Sequence, residues 1–516
     1  MPLAFKSAPT PERELILKVL ETLPSPREAR TFLKRLHPSH SVSPPSYLPR
    51  RGQHGPLAPN HERLRASWSD MTVLDAENRH EHLAVIKLDG SISMDRDWHM
   101  LEVFAQTLVQ FQKLGLMPVV LLDTTTDSKM IYKDMLKLVS LIEGCGGRGM
   151  PIYTGVFQIP SERGSSNEEA PSIDVDLQPV MTALRLGMIS VIAPLGITTA
   201  SMFKPLMKDS QSSQITLISA QSAFISICGS LLTSPLCGNP MKVIIMNSHG
   251  GIISEGKGPL SFINLEEEYG SVSAEVSSKF REDMKTLRTI LGFLPSTSSA
   301  IVAKANSSSS LIANIITDKP LTSPSLPASL TNDSIPTLLR HGFRLRTYTS
   351  LAELDLPRLQ ALLEKSFKKR LKSQDYWSRL ESTLDSIVIA GDYAGATIVT
   401  RESVVSQANS DGFLLYLDKF AVAPTAQGMG VADILWRQLR ASYKDIFWRS
   451  RSDNPVNKWY FERSEGSVTV LTGNLPESSR EIQRKWTCFF YGSRGLDSLE
   501  GYRQATEQIK ETFYKS

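Results

Sequence analysis

At 516 residues the chain exceeds one ordinary core, and at about 150 residues per domain it should hold two or three. With 41% hydrophobic and 21% charged residues it has the composition of a soluble globular protein, and a formal charge of +4 is too small for a general nucleic-acid surface. No apolar run reaches the ~18 to 20 residues that span a bilayer, so membrane insertion is not expected.

Residues 1–70 read as a helical and low-complexity segment. ELILKVLETL and REARTFLKRL have the pattern of two short helices parted by Leu23-Pro24-Ser25-Pro26, and SVSPPSYLPRRGQHGPLAPN reads as linker. A transit peptide is Arg- and Ser-rich and poor in acids, whereas Glu12, Glu14 and Glu21 arrive early. From 71 to 320, strands alternate with helices. LAVIKLDG is a strand, 97–114 a helix ending at Gly115, MPVVLLD a strand and 128–143 a helix; PIYTGVFQI, MISVIAPLG, ITLISA and MKVIIMN are further strand candidates. Such alternation implies an α/β fold, a mostly parallel sheet sandwiched by helices. His249-Gly250-Gly251 reads as a turn at a strand exit.

The stretch 321–337, dense in Pro, Ser and Thr, is a second linker, and 338–516 forms a smaller α+β domain. There FRLRTY is a strand and 354–367 a helix. IVIAG and GATIVT make a hairpin across Asp392-Tyr393, and FLLYLDKFAVA, a helix and IFWRSR follow. The four cysteines, Cys145, Cys228, Cys237 and Cys488, fit no zinc or redox spacing and read as buried thiols; no metal is expected.

The chemistry concentrates in the second domain. In LDKFAVAPTAQGMGVADILWRQL a strand leads through Gln427-Gly428-Met429-Gly430-Val431-Ala432 into an amphipathic helix. Unpaired amides and the positive end of the helix dipole favour an anion there, and glycine permits its close approach. Taken alone, a Gly-x-Gly turn is weak evidence and favours a plain strand-to-helix connection. Arg449 and Arg451, two apart on a strand, project from one face and suit a dicarboxylate. Asn454-Pro455-Val456-Asn457 then turns the chain, and Tyr460 is either a core aromatic or a proton donor.

Gln427 to Ala432 fit the Q/R-x-x-G-x-G/A pyrophosphate loop of the GNAT acetyltransferases. YLDKFAVAPTAQGMGVADILW together with FWRSRSDNPVNKWYFERSEGS and RKWTCFFYG closely resembles the acetyltransferase domain of the N-acetylglutamate synthases, fungal mitochondrial type. The resemblance covers nearly all of 340–500. It implies an acetyl-CoA:L-glutamate N-acetyltransferase, the first step of arginine biosynthesis, in the mitochondrial matrix. Acetyl-CoA would be the co-substrate, its pyrophosphate held by Gln427, Gly428, Met429, Gly430, Val431 and Ala432. An amide near Phe420, Ala421 or Val422 would stabilise the oxyanion. Arg449 and Arg451 would grip the glutamate carboxylates, assisted by Lys419 and Lys369, the latter within one residue of register in Lys368-Lys369-Arg370. Asn454 and Tyr460 would lie by the thioester, Tyr460 protonating the departing thiolate.

The segment 83–321 resembles the amino-acid kinases: AVIKLDGSI, VVLLDTTTD and ANIITDKPL stand where that family has its strand and loop motifs. Leu88-Asp89 and Asp123-Thr124-Thr125-Thr126 replace its phosphate-wrapping glycines, so Lys87 alone is not expected to support phosphoryl transfer. The resemblance implies a regulatory domain that binds arginine as inhibitor, a homo-oligomer and a complex with acetylglutamate kinase. Competing readings are a bifunctional synthase and kinase, a non-catalytic arginine-sensing partner of that kinase, and a protein-lysine acetyltransferase. The two-arginine grip does not suit the last.

Overall fold

In a computed structural model of the chain the described residues are 83–123, 128–160, 173–199, 215–234, 242–256, 258–320, 335–403, 413–472, 484–492 and 498–514. The two expected N-terminal helices, the first linker, residues 321–334 of the second, Cys237 and Thr124 to Thr126 lie outside them. Two compact units divide the chain; the second comprises the residues from Gly342 on, together with Asn264–Ser271.

The first unit is built on an eight-stranded sheet in the order Phe262–Asn264, Thr337–Arg340, Ser299–Lys304, Lys242–Asn247, Leu83–Leu88, Met117–Leu122, Ile189–Ile192, Gly149–Ile152. From the Ser299 strand to the Gly149 strand every pairing is parallel, and Thr337–Arg340 joins antiparallel. LAVIKL and MPVVLL are buried at every position, which is what continuous apolar runs require in a sheet covered on both faces. The helix Trp98–Lys113 buries Leu101, Phe104, Ala105, Leu108 and Phe111, a stripe at helical spacing. Two expected strands are each divided: PIYTGVFQI into Gly149–Ile152 and Phe157–Pro160 around Gly155 at φ 94°, and MISVIAPLG into Ile189–Ile192 and Leu195–Thr199. ITLISA stays extended only over Ile215–Leu217. Ser219 then accepts a bond from the Ser222 amide and caps the helix Ala220–Thr233.

Thr337–Arg340 belongs to this first sheet, so the second unit begins at Gly342, four residues beyond the expected 338. Its sheet has seven strands: Leu345–Tyr348, Leu384–Ala390, Gly395–Ser403, Phe413–Val422, Ile446–Arg451, Arg484–Tyr491 and Gly466–Thr472, in that spatial order. The hairpin across Asp392-Tyr393 turns through Gly391 and Tyr393, both at positive φ. One face carries the helices Leu356–Phe367 and Ser373–Thr383, the other the helix Val431–Ser442.

Cys228 and Cys488 are buried, burial pushing both thiols up, whereas Cys145 is only half-buried. No described helix is long and apolar enough to cross a membrane.

Candidate active site

The glycine-spaced turn has the geometry its sequence requires. A 3-10 turn, Pro424–Ala426, is followed by Gly428 at φ 88° and Gly430 at φ 82°, and Gly430 starts the helix Val431–Ser442. Both angles lie where a Cβ would be strained. Gly430 brings no capping side chain, so the helix's first amides keep their donors for a ligand. The helix sits close on the sheet because Gly395 has no side chain: a Cβ there would meet Val431 Cγ1 at 2.6 Å. Asp433 in the first turn would repel an anion, but the buried Arg463 guanidinium lies 3.3 Å from Asp433 Oδ1 and stacks on Trp459.

Next to this turn the sheet parts. The Phe413 strand is antiparallel to the Gly395 strand along its length, yet its recorded pairing with the parallel Ile446 strand is Tyr416 with Phe447 alone. Ala423 N–H donates inward to Ala394 O, while Val422 N–H donates outward to Ser366 Oγ at 3.3 Å. By strand alternation the Phe420 amide shares the outer, parted edge with Val422, and the Ala421 amide turns to the Gly395 strand.

A bulge follows from the register. Lys419 stands opposite Ile398 and Leu417 opposite Val399, so Asp418 is the extra residue. Regular alternation would send Asp418 and Lys419 to opposite faces; a bulge turns both the same way. Lys419 Nζ donates to Asp418 Oδ2 at 2.8 Å, Tyr376 Oη donates to the same oxygen at 2.8 Å, and Arg379 donates to Oδ1 at 3.0 Å. The Tyr376 ring also faces the Lys419 ammonium, 4.9 Å from its centroid, and Arg379 reaches on to Glu402. Burial would raise the Asp418 carboxyl, but Lys419 and Arg379 hold it down to about 2. Burial pulls the Lys419 ammonium down against Asp418, helped by the cations of Arg379 and Arg449.

Arg449 and Arg451 share a face, as their spacing requires, but their partners differ. Arg449 donates to the carbonyls of Thr506 and Ile509, at the end of the helix Leu499–Gln508, and stacks 4.4 Å from the Trp486 centroid. Arg451 is exposed and holds Asp453 through two 3.0 Å bonds. Lys369 is half-buried and acts on Asp453 electrostatically, whereas Lys368 is exposed at φ 53°, closing the helix Leu356–Phe367.

Asn454 and Tyr460 lie on the side of the Val431 helix. Asn454 Nδ2 donates to Ser450 Oγ at 2.9 Å. Tyr460, in the short helix Asn457–Phe461, packs on Trp448, Trp459 and Phe489, and burial pushes its hydroxyl up to about 12. At neutral pH it therefore carries its proton. Sequence reasoning had no signal for Tyr376, Arg379 or Arg463, which reach the site by tertiary packing.

In the first unit, Lys87 is 1% exposed and ion-paired with Asp283 at 3.0 Å, Asp123 at 3.3 Å and Asp89 at 4.0 Å; Lys279 also pairs with Asp89. Although burial opposes its charge, Asp283 and Asp123 hold the Lys87 ammonium above its ordinary range. A Cβ on Gly90 would lie 2.9 Å from the Asp123 carbonyl, so the two loops touch. Asn247 Oδ1 accepts from the amides of His249 and Gly250, the expected turn. Among the described residues no group of three or more His, Cys, Asp or Glu is arranged to hold a metal.

Residues 346–511 match the N-acetyltransferase family of N-acetylglutamate synthase. A mitochondrial amino-acid acetyltransferase of Laccaria bicolor is 32% identical, over 82% of this chain and 82% of that protein. One from Coprinopsis cinerea is 30% identical, over 95% of this chain and 89% of that protein. A Xanthomonas campestris acetylglutamate kinase is 28% identical, over 81% of this chain and 92% of its own length. The chain belongs to the family of mitochondrial amino-acid acetyltransferases.

Proposed function

We propose that the protein acts in the mitochondrion as an acetyl-CoA:L-glutamate N-acetyltransferase with its active site at the parted edge of the second unit's sheet. What supports this placement is the edge left open beyond Tyr416: it carries Lys419, runs on to the Gly428–Gly430 turn, and belongs to the strand whose parallel neighbour carries Arg449. The amides of Gln427 to Ala432 hold the CoA pyrophosphate. Arg449, Arg451, Lys419 and Lys369 meet the two glutamate carboxylates. The glutamate ammonium first gives a proton to solvent. Its nitrogen then bonds the acetyl carbon, whose oxygen is stabilised by the Phe420 amide. The attacking nitrogen gives its second proton to solvent as the C–S bond breaks, the thiolate takes the Tyr460 proton, and solvent reprotonates the phenolate. Asn454 positions the thioester. Holding both substrates in one cleft supplies much of the acceleration.

The kinase-like unit serves assembly and sensing without phosphorylating: the carboxylates of Asp89 and Asp123 stand in the loops where a phosphate would have to approach, and Asp283 closes on Lys87 from a helix. Arginine inhibition, self-association and a complex with acetylglutamate kinase belong to this reading through the kinase-like resemblance. The test is CoA release from acetyl-CoA with and without glutamate, then with arginine. Glutamate-dependent release is expected; its absence sinks the enzymatic reading, and release indifferent to arginine sinks the regulatory one.

A further inference from the structure

The segment Ile509–Tyr514 has no part in the catalytic scheme, yet it touches the surroundings of all four assigned cations. Arg449 is fixed by the carbonyls of Thr506 and Ile509. Glu511 acts electrostatically on Arg451. The Phe513 ring faces the Lys419 ammonium, 5.7 Å from its centroid. The connection that bears Lys369 is stitched to the same segment: Leu371 bridges Phe513 antiparallel, Lys372 N–H donates to Thr512 O at 2.9 Å, and Tyr514 N–H donates to Arg370 O at 2.9 Å. Phe513 also packs on Phe367 at 5.0 Å between centroids, at the end of the helix that leads into Lys369.

Two bonds do not exhaust the Arg449 guanidinium, which has five donors in a rigid fork. Anchoring it on helix-end carbonyls fixes the plane in which the remaining donors point, and so fixes where a carboxylate can bind. Phe513 does the corresponding work for Lys419. An aromatic face satisfies an ammonium without neutralising it, so the cation keeps its appetite for an anion while water is kept away.

We propose that Ile509–Tyr514 forms a wall of the glutamate pocket and that Phe513 is a specificity-determining positioning residue, holding Lys419 ready for the carboxylate that distinguishes glutamate from glutamine. This rests on the assignment of Lys419 and Arg449 to the substrate carboxylates. Turnover and calorimetric binding of glutamate in the presence of CoA are measured side by side, so that loss of catalysis and loss of recognition are separable. Phe513→Ala should raise the glutamate KM and Kd about five- to tenfold, and shrink the preference for glutamate over glutamine by a similar factor. The KM for acetyl-CoA should stay within about twofold. Phe513→Leu, which keeps apolar volume for the packing on Phe367, should lose the same preference, and Phe513→Tyr should restore it. An unchanged glutamate-to-glutamine ratio in the folded Leu variant overturns the proposal. So do equal rises in both KM values, which would mean a merely structural role. If the unsubstituted chain binds glutamate without turning it over, the recognition claim is still decided by the Kd values while the enzymatic reading fails.

Discussion

Two buried lysines divide the molecule's chemistry. Lys87 in the first unit meets three carboxylates, Asp283, Asp123 and Asp89, with one further ammonium, Lys279, close by. Lys419 in the second meets one carboxylate, Asp418, and the faces of Tyr376 and Phe513, with Arg379 and Arg449 adding positive charge. The surroundings push the first ammonium up and the second down. A cation already outnumbered by anions attracts no further one, while a desolvated cation in an excess of its own sign does. The same residue type is thus a closed ion cluster in one sheet and, under the proposed function, a contact for a substrate carboxylate in the other.

The sharpest way to break this contrast is Lys419→Met. It should lower kcat/KM for glutamate about a thousandfold, since it removes the proposed contact to the substrate and leaves Asp418 to Tyr376 and Arg379 alone; a loss under tenfold, read from CoA release, would mean that Lys419 is structural like Lys87. Tyr460→Phe leaves every charge in place, and a fall in kcat of about a hundredfold with both KM values little changed is expected from losing a general acid. Unchanged kcat removes it as proton donor. Arg451→Ala should raise the glutamate KM about tenfold and spare that of acetyl-CoA, and equal rises would contradict its role.

Asp418→Asn tests the balance through stability. The Asp418 carboxyl falls from 3.8 to about 2 on folding, so its contribution is present above pH ~4 and lost as pH drops toward 2. Near neutral pH the variant should lose about 2 kcal/mol, and the acid limb of the denaturation profile should flatten between those values. An unaltered limb would show that the ion cluster contributes nothing net. The smallest signal is expected from the first unit: ATP, magnesium and N-acetylglutamate should give no phosphorylated product, and clear product would erase the distinction between the two lysines.

Local pattern made much of this legible. Buried strands such as LAVIKL announced themselves as apolar runs, the turn at Gly428 and Gly430 by its glycines, and the shared face of Arg449 and Arg451 by a spacing of two. What the chain could not disclose depends on contacts between distant residues. Tyr376 lies 42 positions before the carboxylate it serves. No spacing marks Asp418 as a bulge, because that depends on the register of the Gly395 strand. Nor does the strand pattern reveal that Arg449 turns to a helix end 57 residues on. The kinase-like loops were readable as departures from a glycine pattern, but the convergence of Asp283 on Lys87 was not.

The parting of the sheet beyond Tyr416 has a consequence for the protein as a folded object. A strand edge without a neighbouring strand is an unfinished piece of secondary structure, and the amide-bearing arm of acetyl-CoA has the backbone-like groups to finish it. Under the proposed function the co-substrate would act as a temporary eighth strand. Slow amide exchange at Phe420 would appear only while that strand is in place, and the melting temperature of this unit would follow the acetyl-CoA supply of its compartment. A metabolite level would then become, through one gap in a sheet, a determinant of how long the enzyme survives.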